Sequence, residues 1–328
     1  MKRILIITGP GGDAQGWGNL EVTQTLCEAL NSDGKSAEIA YVTSMDEFVK
    51  AIDTHHYHMV WSALYYITDK EDIIGLNVAE DAWLADIFDR RQIPYIGPGS
   101  QTMKDLINKT ATHKILRAHG ISVPRHHQVA AGEPMPAVRY PAFVKPSCES
   151  RSVGISDRSV VNDQASLQSR VSYIHEQFEQ PALIEDYLPG EEYTVLMIGN
   201  GHGQKLLPGV VTVKGGHNGQ YPILRSDMRG VGITQIGVPE HSAEEAKQLC
   251  RKAVAALACL DHVRVDMRFD AHRQLKIIEV NGIPGLKPIK SWSPQMYSLY
   301  YGNGQDPMED YRQLVHQIVD AAFERYNL

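Results

Sequence analysis

The chain has 328 residues, 43% of them hydrophobic and 22% charged, the make-up of an ordinary folded protein of two or three domains. Its formal net charge of −7 gives no electrostatic support to nucleic-acid binding, although local basic patches can still hold phosphates. Cys27, Cys148, Cys250 and Cys259 are scattered without C-x-x-C spacing, and the apolar run at residues 4–7 is too short for a signal segment or a membrane span. Neither a disulfide framework nor a zinc site is indicated, and a reduced cytoplasmic setting away from membranes is expected.

Residues 4–7 read as a buried strand of a parallel sheet. A glycine-rich turn at residues 8–13 leads into a helix through Leu30. Strands at 37–42, 58–63 and 93–96 then alternate with helices at 45–52, capped by Ser44, and at 79–90. This alternation predicts an open α/β sheet, with Gly97-Pro98-Gly99-Ser100 marking the exit from it. One helix is expected over 101–119, carrying Lys104, Lys109 and Lys114 and stopped by Gly120 and Pro124. A strand at 142–145 ends in Lys145, a helix covers 163–177, and strands at 181–185 and 193–198 flank the turn at 188–191. Residues 214–232 contain five glycines and no period, and read as a long loop. A helix at 242–258, two strands, a loop and a final helix at 308–326 complete the chain.

The last two strands carry Arg264-Val265-Asp266 and Glu279-Val280-Asn281. Residues i and i+2 of a strand face the same side, so a hairpin through residues 269–274 brings two carboxylates, an amide and a guanidinium onto one wall. Hard oxygen donors of that kind suit Mg²⁺ carrying substrate phosphates. Lys109 and Lys145 can neutralise a triphosphate, and the small-residue stretch after Lys145, with Gly154 beyond it, lets backbone N–H groups close over one. The plain alternative is a solvated hairpin face. The glycine turn at 9–12 lacks G-x-G-x-x-G and an acidic residue ending the second strand, so a dinucleotide-dependent oxidoreductase is disfavoured.

Six segments in order now carry a resemblance: Tyr95-Ile96-Gly97 with Lys109, Phe143-Val144-Lys145-Pro146, Ser152-Val153-Gly154, Leu183-Ile184-Glu185, Arg264-Val265-Asp266, and Glu279-Val280-Asn281 followed by Pro284-Gly285. Together they resemble the ATP-grasp fold, and within it the D-alanine–D-alanine ligase branch, most strongly from Tyr95 onward. The resemblance implies an α/β protein that becomes α+β in its C-terminal part. Its parts would be an N-terminal open-sheet domain (1–98), a small ATP-grasp subdomain (99–178) and a C-terminal subdomain with the metal site (179–328). It further implies that Lys109, Lys145 and Ser152 contact ATP phosphates. Glu185, Tyr187 and Leu188 would line the adenine pocket, and Glu192 would hold the ribose hydroxyls. Asp266, Glu279 and Asn281 would bind two Mg²⁺ ions, for which Mn²⁺ can substitute. Arg264 would stabilise a tetrahedral oxyanion and, with Lys145 and Arg151, form the catalytic set. Such enzymes phosphorylate a carboxylate and let an amine attack the acyl phosphate, under a flap that here is loop 214–232. A homodimer through the N-terminal domain is common in the family.

The substrate side departs from the branch. Ser150-Arg151-Ser152 stands where Gly-Ser-Ser is usual, the flap offers Arg225 and Arg229 instead of Ala-Lys-Tyr, and the metal strand continues as Gly282-Ile283-Pro284-Gly285-Leu286-Lys287. After the third strand, residues 64–69 replace the usual histidine and acidic glycine-rich loop. Arg151 and Lys287 suit a substrate with an extra carboxylate, and Arg225, Arg229, Gly285 and Ser291 complete the expected substrate set. These departures favour an amino-acid ligase of specialised metabolism. Three alternatives stand beside it: an enzyme that phosphorylates a keto or enol oxygen and condenses it with an amino acid to an imine, as in mycosporine-like amino acid synthesis; a true D-alanine–D-alanine ligase; and a non-catalytic nucleotide-binding module.

Overall fold

The structure is a computed structural model that describes residues 1–75, 82–216, 219–228 and 233–328. The N-terminal part contains β1 (Lys2–Thr8), α1 (Gly12–Gln15), α2 (Leu20–Leu30), β2 (Lys35–Tyr41), α3 (Met45–Thr54), β3 (Met59–Ser62) and α4 (Leu84–Arg91). Its sheet is parallel in the order β2-β1-β3. β1 is apolar without alternation because both its faces are covered: Ile4 and Ile6 join one core with Leu26 and Leu30, while Leu5 and Ile7 join another with Phe48 and Phe88. The strand expected at 93–96 is reduced to a single bridge, Val60 to Tyr95. Pro94 lacks the N–H that a longer ladder needs, and only its carbonyl takes part, accepting from Val60 N. The helix expected over 79–90 begins at Leu84, and residues 79–81 of that expectation lie outside the described residues.

The single helix expected over 101–119 is two, α5 (Ser100–Ile107) and α6 (Lys109–Ala118). Asn108 breaks it by turning extended (φ −96°, ψ 101°), and its side chain caps α6 by accepting from Thr110 N and Ala111 N. Lys109 thereby becomes the first residue of a helix and donates its backbone N–H to Ser147 O. Next come β4 (His126–Val129), β5 (Ala142–Pro146), β6 (Val160–Val161), α7 (Gln164–Phe178) and β7 (Ala182–Asp186). These strands form an antiparallel sheet, β4-β7-β5-β6, with α7 packed on it through Leu167, Val171 and Ile174. Since β7 pairs with β5, from Lys145↔Leu183 to Ala142↔Asp186, a division at 178/179 cuts off a strand that belongs to the small sheet.

The rest comprises β8 (Glu192–Ile198), β9 (Lys205–Val213), β10 (Thr234–Gly237), α8 (Ala243–Ala256), β11 (His262–Phe269), β12 (Leu275–Asn281), α9 (Trp292–Tyr301) and α10 (Pro307–Arg325). The strands form one antiparallel sheet, β10-β9-β8-β11-β12. β11 lies inside it, with all eight residues buried. α8 covers one face through Ala246, Cys250 and Ala253, and α9 and α10 join the other face to the core of the N-terminal sheet. β9, β10 and α9 were not expected from the sequence. α9 occupies a segment that reads as loop because Gly282, Pro284, Gly285 and Pro288 stand ahead of it. Among the described residues no helix is long and apolar enough to cross a membrane.

Candidate active site

The hairpin of β11 and β12 pairs Arg264 with Asn281 and Asp266 with Glu279, and a bulge at Ile278 follows. The wall anticipated from the i, i+2 pattern is therefore present. Arg264 grips Asp266 with two bonds, Nε to Oδ1 at 2.9 Å and a terminal nitrogen to Oδ2 at 2.7 Å. Thr194 Oγ1 donates to Asp266 Oδ1 at 2.7 Å, and Asn281 Nδ2 donates to Oδ2 at 3.1 Å. Lys109 Nζ stands 3.0 Å from Glu279 Oε1. Burial alone would push the Lys109 ammonium down, but the Glu279 carboxylate more than offsets it and the pKa is raised. Arg264 follows the same balance: burial opposes its charge, Asp266 restores it, and the net shift is upward. The Trp292 ring lies over its guanidinium at 4.9 Å.

On the other side, β5 delivers Lys145 to within 2.8 Å of Glu185 Oε2 on β7. His113, one helical turn after Lys109, is wholly buried with Nδ1 3.4 Å from Glu185 Oε1. Burial, then the charges of Lys145 and His126, hold His113 well below the usual imidazole range, so it is neutral. The loop after β5 takes a left-handed backbone at Arg151 (φ 54°), Ser152 (φ 57°) and Gly154 (φ 75°). Only glycine fits the last position, where a Cβ would meet Pro146 Cγ at 2.8 Å and Phe178 Cζ at 2.9 Å.

Two cavities meet at the hairpin wall. The smaller, about 90 Å³, is lined by Lys145, Ser152, Glu185, Tyr187, Leu188, Glu192 and Asp266. The larger, about 420 Å³, opens between the N-terminal sheet domain and the hairpin and is lined by Arg151, Arg264, Asn281, Gly285, Lys287 and Ser291. Lys109, Glu149 and Glu279 line both. Most of the expected nucleotide residues and Asp266 thus line the smaller cavity, Lys109 and Glu279 stand at the junction, and Asn281 lines the larger cavity together with most of the expected substrate residues. Arg225 does not line the larger cavity; it pairs with Asp157, just ahead of β6, and with Asp227 of its own segment, each at 3.0 Å. Arg229 lies outside the described residues. Arg151 lies at the cavity rim, paired with Asp13.

Sequence reasoning missed Glu149, whose buried carboxylate accepts from Ile74 N at 3.0 Å, Gly75 N at 3.1 Å and Gln180 Nε2 at 2.8 Å. It ties the loop after β3 to the loop after β5. A lone acid three residues past Pro146 was its only signal. Arg268 was also missed, although it continues the alternation Arg264, Asp266 by one more pleat and lines the smaller cavity. The aromatic walls of the larger cavity, Trp17, Tyr65 and Trp292, are distant in sequence, and only the tertiary fold brings them together.

Fold and site together define an ATP-grasp enzyme. Residues 110–320 match the family model described as D-ala D-ala ligase C-terminus. The uncharacterized protein y4sG of Sinorhizobium fredii is 28% identical over 243 residues, 71% of this chain and 68% of that protein. A D-alanine–D-alanine ligase of Desulforudis audaxviator is 24% identical over 333 residues, 99% of this chain and 100% of that protein. The structure of D-alanine–D-alanine ligase from Bacillus anthracis complexed with ATP gives a TM-score of 0.70 at 21% identity, covering 100% of this chain and 99% of that chain. VanG D-Ala:D-Ser ligase from Enterococcus faecalis gives 0.68 at 17% identity, covering 98% and 99%. The chain belongs to the D-alanine–D-alanine ligase family and is an ATP-dependent, ADP-forming ligase.

Proposed function

We propose that the protein joins a carboxylate to an amine through an acyl phosphate, with an amino acid as at least one substrate, and that it serves specialised metabolism. The observation that carries this is the sharing of Lys109, Glu149 and Glu279 by the two cavities. ATP in the smaller cavity presents its terminal phosphate at the junction, beside Lys109 and Lys145. A carboxylate in the larger cavity attacks that phosphorus, ADP departs, and the acyl phosphate stays on the cavity side. An amine then adds to the acyl carbon. Arg264, on the cavity wall, stabilises the oxyanion, and phosphate leaves. Arg264 and Lys109 are held in place by Asp266 and Glu279, so little reorganisation is needed when charge develops.

The donor set fits a hard divalent cation: the carboxylates of Asp266 and Glu279 oppose each other in register, and Asn281, whose N–H is spent on Asp266, keeps its carbonyl oxygen. Among the described residues no group of three or more His, Cys, Asp or Glu side chains could hold a metal, so this site rests on two carboxylates and an amide. Mg²⁺ held there supplies charge neutralisation to phosphate oxygens. Glu192 and Tyr187 would hold the ribose and base, with Glu185 and Leu188 at the hinge. Arg151 and Lys287, on the rim, favour a substrate carrying an additional carboxylate. We take residues 1–98 as the N-terminal domain and Asp186 as the end of the small subdomain.

The test is phosphate release from Mg-ATP with paired libraries of amino acids and carboxylic acids, read by product mass. The reading expects release only with a carboxylate–amine pair and an amide product. Release demanding a keto compound favours the imine-forming alternative, and D-alanine alone giving a dipeptide makes the enzyme a D-alanine–D-alanine ligase. Nucleotide binding without release across all pairs leaves only the binding module.

A further inference from the structure

Arg170 stands on α7, lines neither cavity and is only 5% exposed. One of its terminal nitrogens bonds to Gly154 O and also donates to Ser159 Oγ at 2.9 Å, so a single guanidinium closes segment 154–159 across its ends. The Tyr173 ring lies over that guanidinium at 4.8 Å. Among the described residues no carboxylate pairs with Arg170, and its Nε has no partner. Burial lowers its pKa, yet a guanidinium keeps its proton inside a protein. A cation is therefore buried without an anion, which is costly unless opposite charge faces it. What it clamps is the loop after β5. Val153 N donates to Ser150 O at 2.9 Å and Ile155 N to Ser152 O at 3.0 Å, which makes two interlocked turns. Arg151 and Ser152 hold a left-handed backbone there, which non-glycine residues keep only where their surroundings enforce it. The peptide between Gly154 and Ile155 is held at both ends, its carbonyl by Arg170 and its N–H by Ser152 O. Ser152, Val153 and Ile155 line the smaller cavity.

We infer that Arg170 is a positioning residue for the phosphates of the nucleotide: it holds loop 150–155 in the shape that meets them and sets a fixed positive charge behind that loop. This rests on the reading of the smaller cavity as the ATP site, with the loop after β5 at the phosphates. The clamp acts through backbone, by way of Gly154 O and the turn that Ile155 closes, so it shapes the loop without touching the ligand. Its charge is permanent and already in place, and phosphate oxygens supply the anion that the protein leaves out. On that reading adenosine reaches the hinge at Glu185 and Leu188 but not this loop, so it neither needs the clamp nor senses it.

The experiment is titration calorimetry of the full chain with Mg-ADP and with adenosine, beside urea denaturation of each variant. Wild type should bind Mg-ADP more tightly than adenosine. Arg170→Gln keeps an amide donor but drops the charge; it should weaken Mg-ADP by about tenfold, the scale of one charge-assisted hydrogen bond, and adenosine by less than about twofold. Arg170→Lys keeps the charge but cannot reach both acceptors as the guanidinium does. It should show the same selective loss by a smaller factor, and it decides the matter if the glutamine variant does not fold. A merely structural role lowers the urea midpoint and leaves the ratio of the two affinities as in wild type; that result in a folded variant overturns the inference. Wild type that binds Mg-ADP no more tightly than adenosine overturns the placement of phosphates at this loop instead.

Discussion

Glu279→Gln tests the centre of the site with two separable readouts. Glu279 Oε1 stands 3.0 Å from the buried Lys109 ammonium, a gross attraction of about 5.5 kcal/mol at an effective dielectric of about 20. The substitution removes that charge but keeps an oxygen that accepts from Lys109. It also relieves repulsion from Asp266, directly opposite on β11. Breaking one side of a buried pair costs about 3–5 kcal/mol, and these two compensations place the loss at the lower end, about 3 kcal/mol, readable as a lower midpoint in urea. The second readout is nucleotide affinity with and without Mg²⁺. Wild type should bind ATP more tightly when Mg²⁺ is present. The variant should lose that dependence, bind metal-free ATP at least as well, because one negative charge beside the phosphates is gone, and release no phosphate with any substrate pair. Unaltered Mg²⁺ dependence, or near-normal turnover, refutes Glu279 as a metal ligand whatever the stability change.

Three further outcomes follow from the geometry. Arg151→Ser should leave stability within about 0.5 kcal/mol, since its partner Asp13 is a half-exposed surface carboxylate, while changing substrate preference in the paired-library assay. A change confined to the ATP KM would move Arg151 to the phosphate site. Gly154→Ala should lower stability by about 1–3 kcal/mol, read from urea denaturation, and weaken ATP binding, because φ of 75° and the Pro146 and Phe178 contacts both oppose a Cβ; a neutral result in titration calorimetry and denaturation refutes the claim. Burial and the nearby Arg264 push His262 down to about 3. Its folded pKa is therefore below the ordinary value of 6.5, and as pH falls from about 6.5 toward about 3 the unfolded chain binds a proton the folded one does not. Stability should fall by up to about 1.4 kcal/mol per pH unit from this group, and His262→Phe should flatten that slope.

The sequence by itself determined the carboxylate wall. A period of two places Arg264 with Asp266 and Glu279 with Asn281, and the short link leaves a hairpin as the compact way to join them, so local geometry suffices. It likewise determined Lys145 at a strand end and the glycine at 154, because both depend on neighbours within a few residues. It did not determine where α6 starts. A periodic apolar face runs through Asn108, and only the competition between its side chain and the helix backbone sets Lys109 at an N-terminus. Nor did it reveal β9 and β10, whose pairing with β8 and with each other is long-range. Tertiary structure alone decided that Glu149 fastens the loop after β3 to the loop after β5, that Arg225 pairs with Asp157, and that Arg268 bridges Gly190, Glu192 and Pro222. Each of these is a contact between segments tens of residues apart, fixed by how sheets and loops pack, and a pattern confined to one strand or helix carries no record of it.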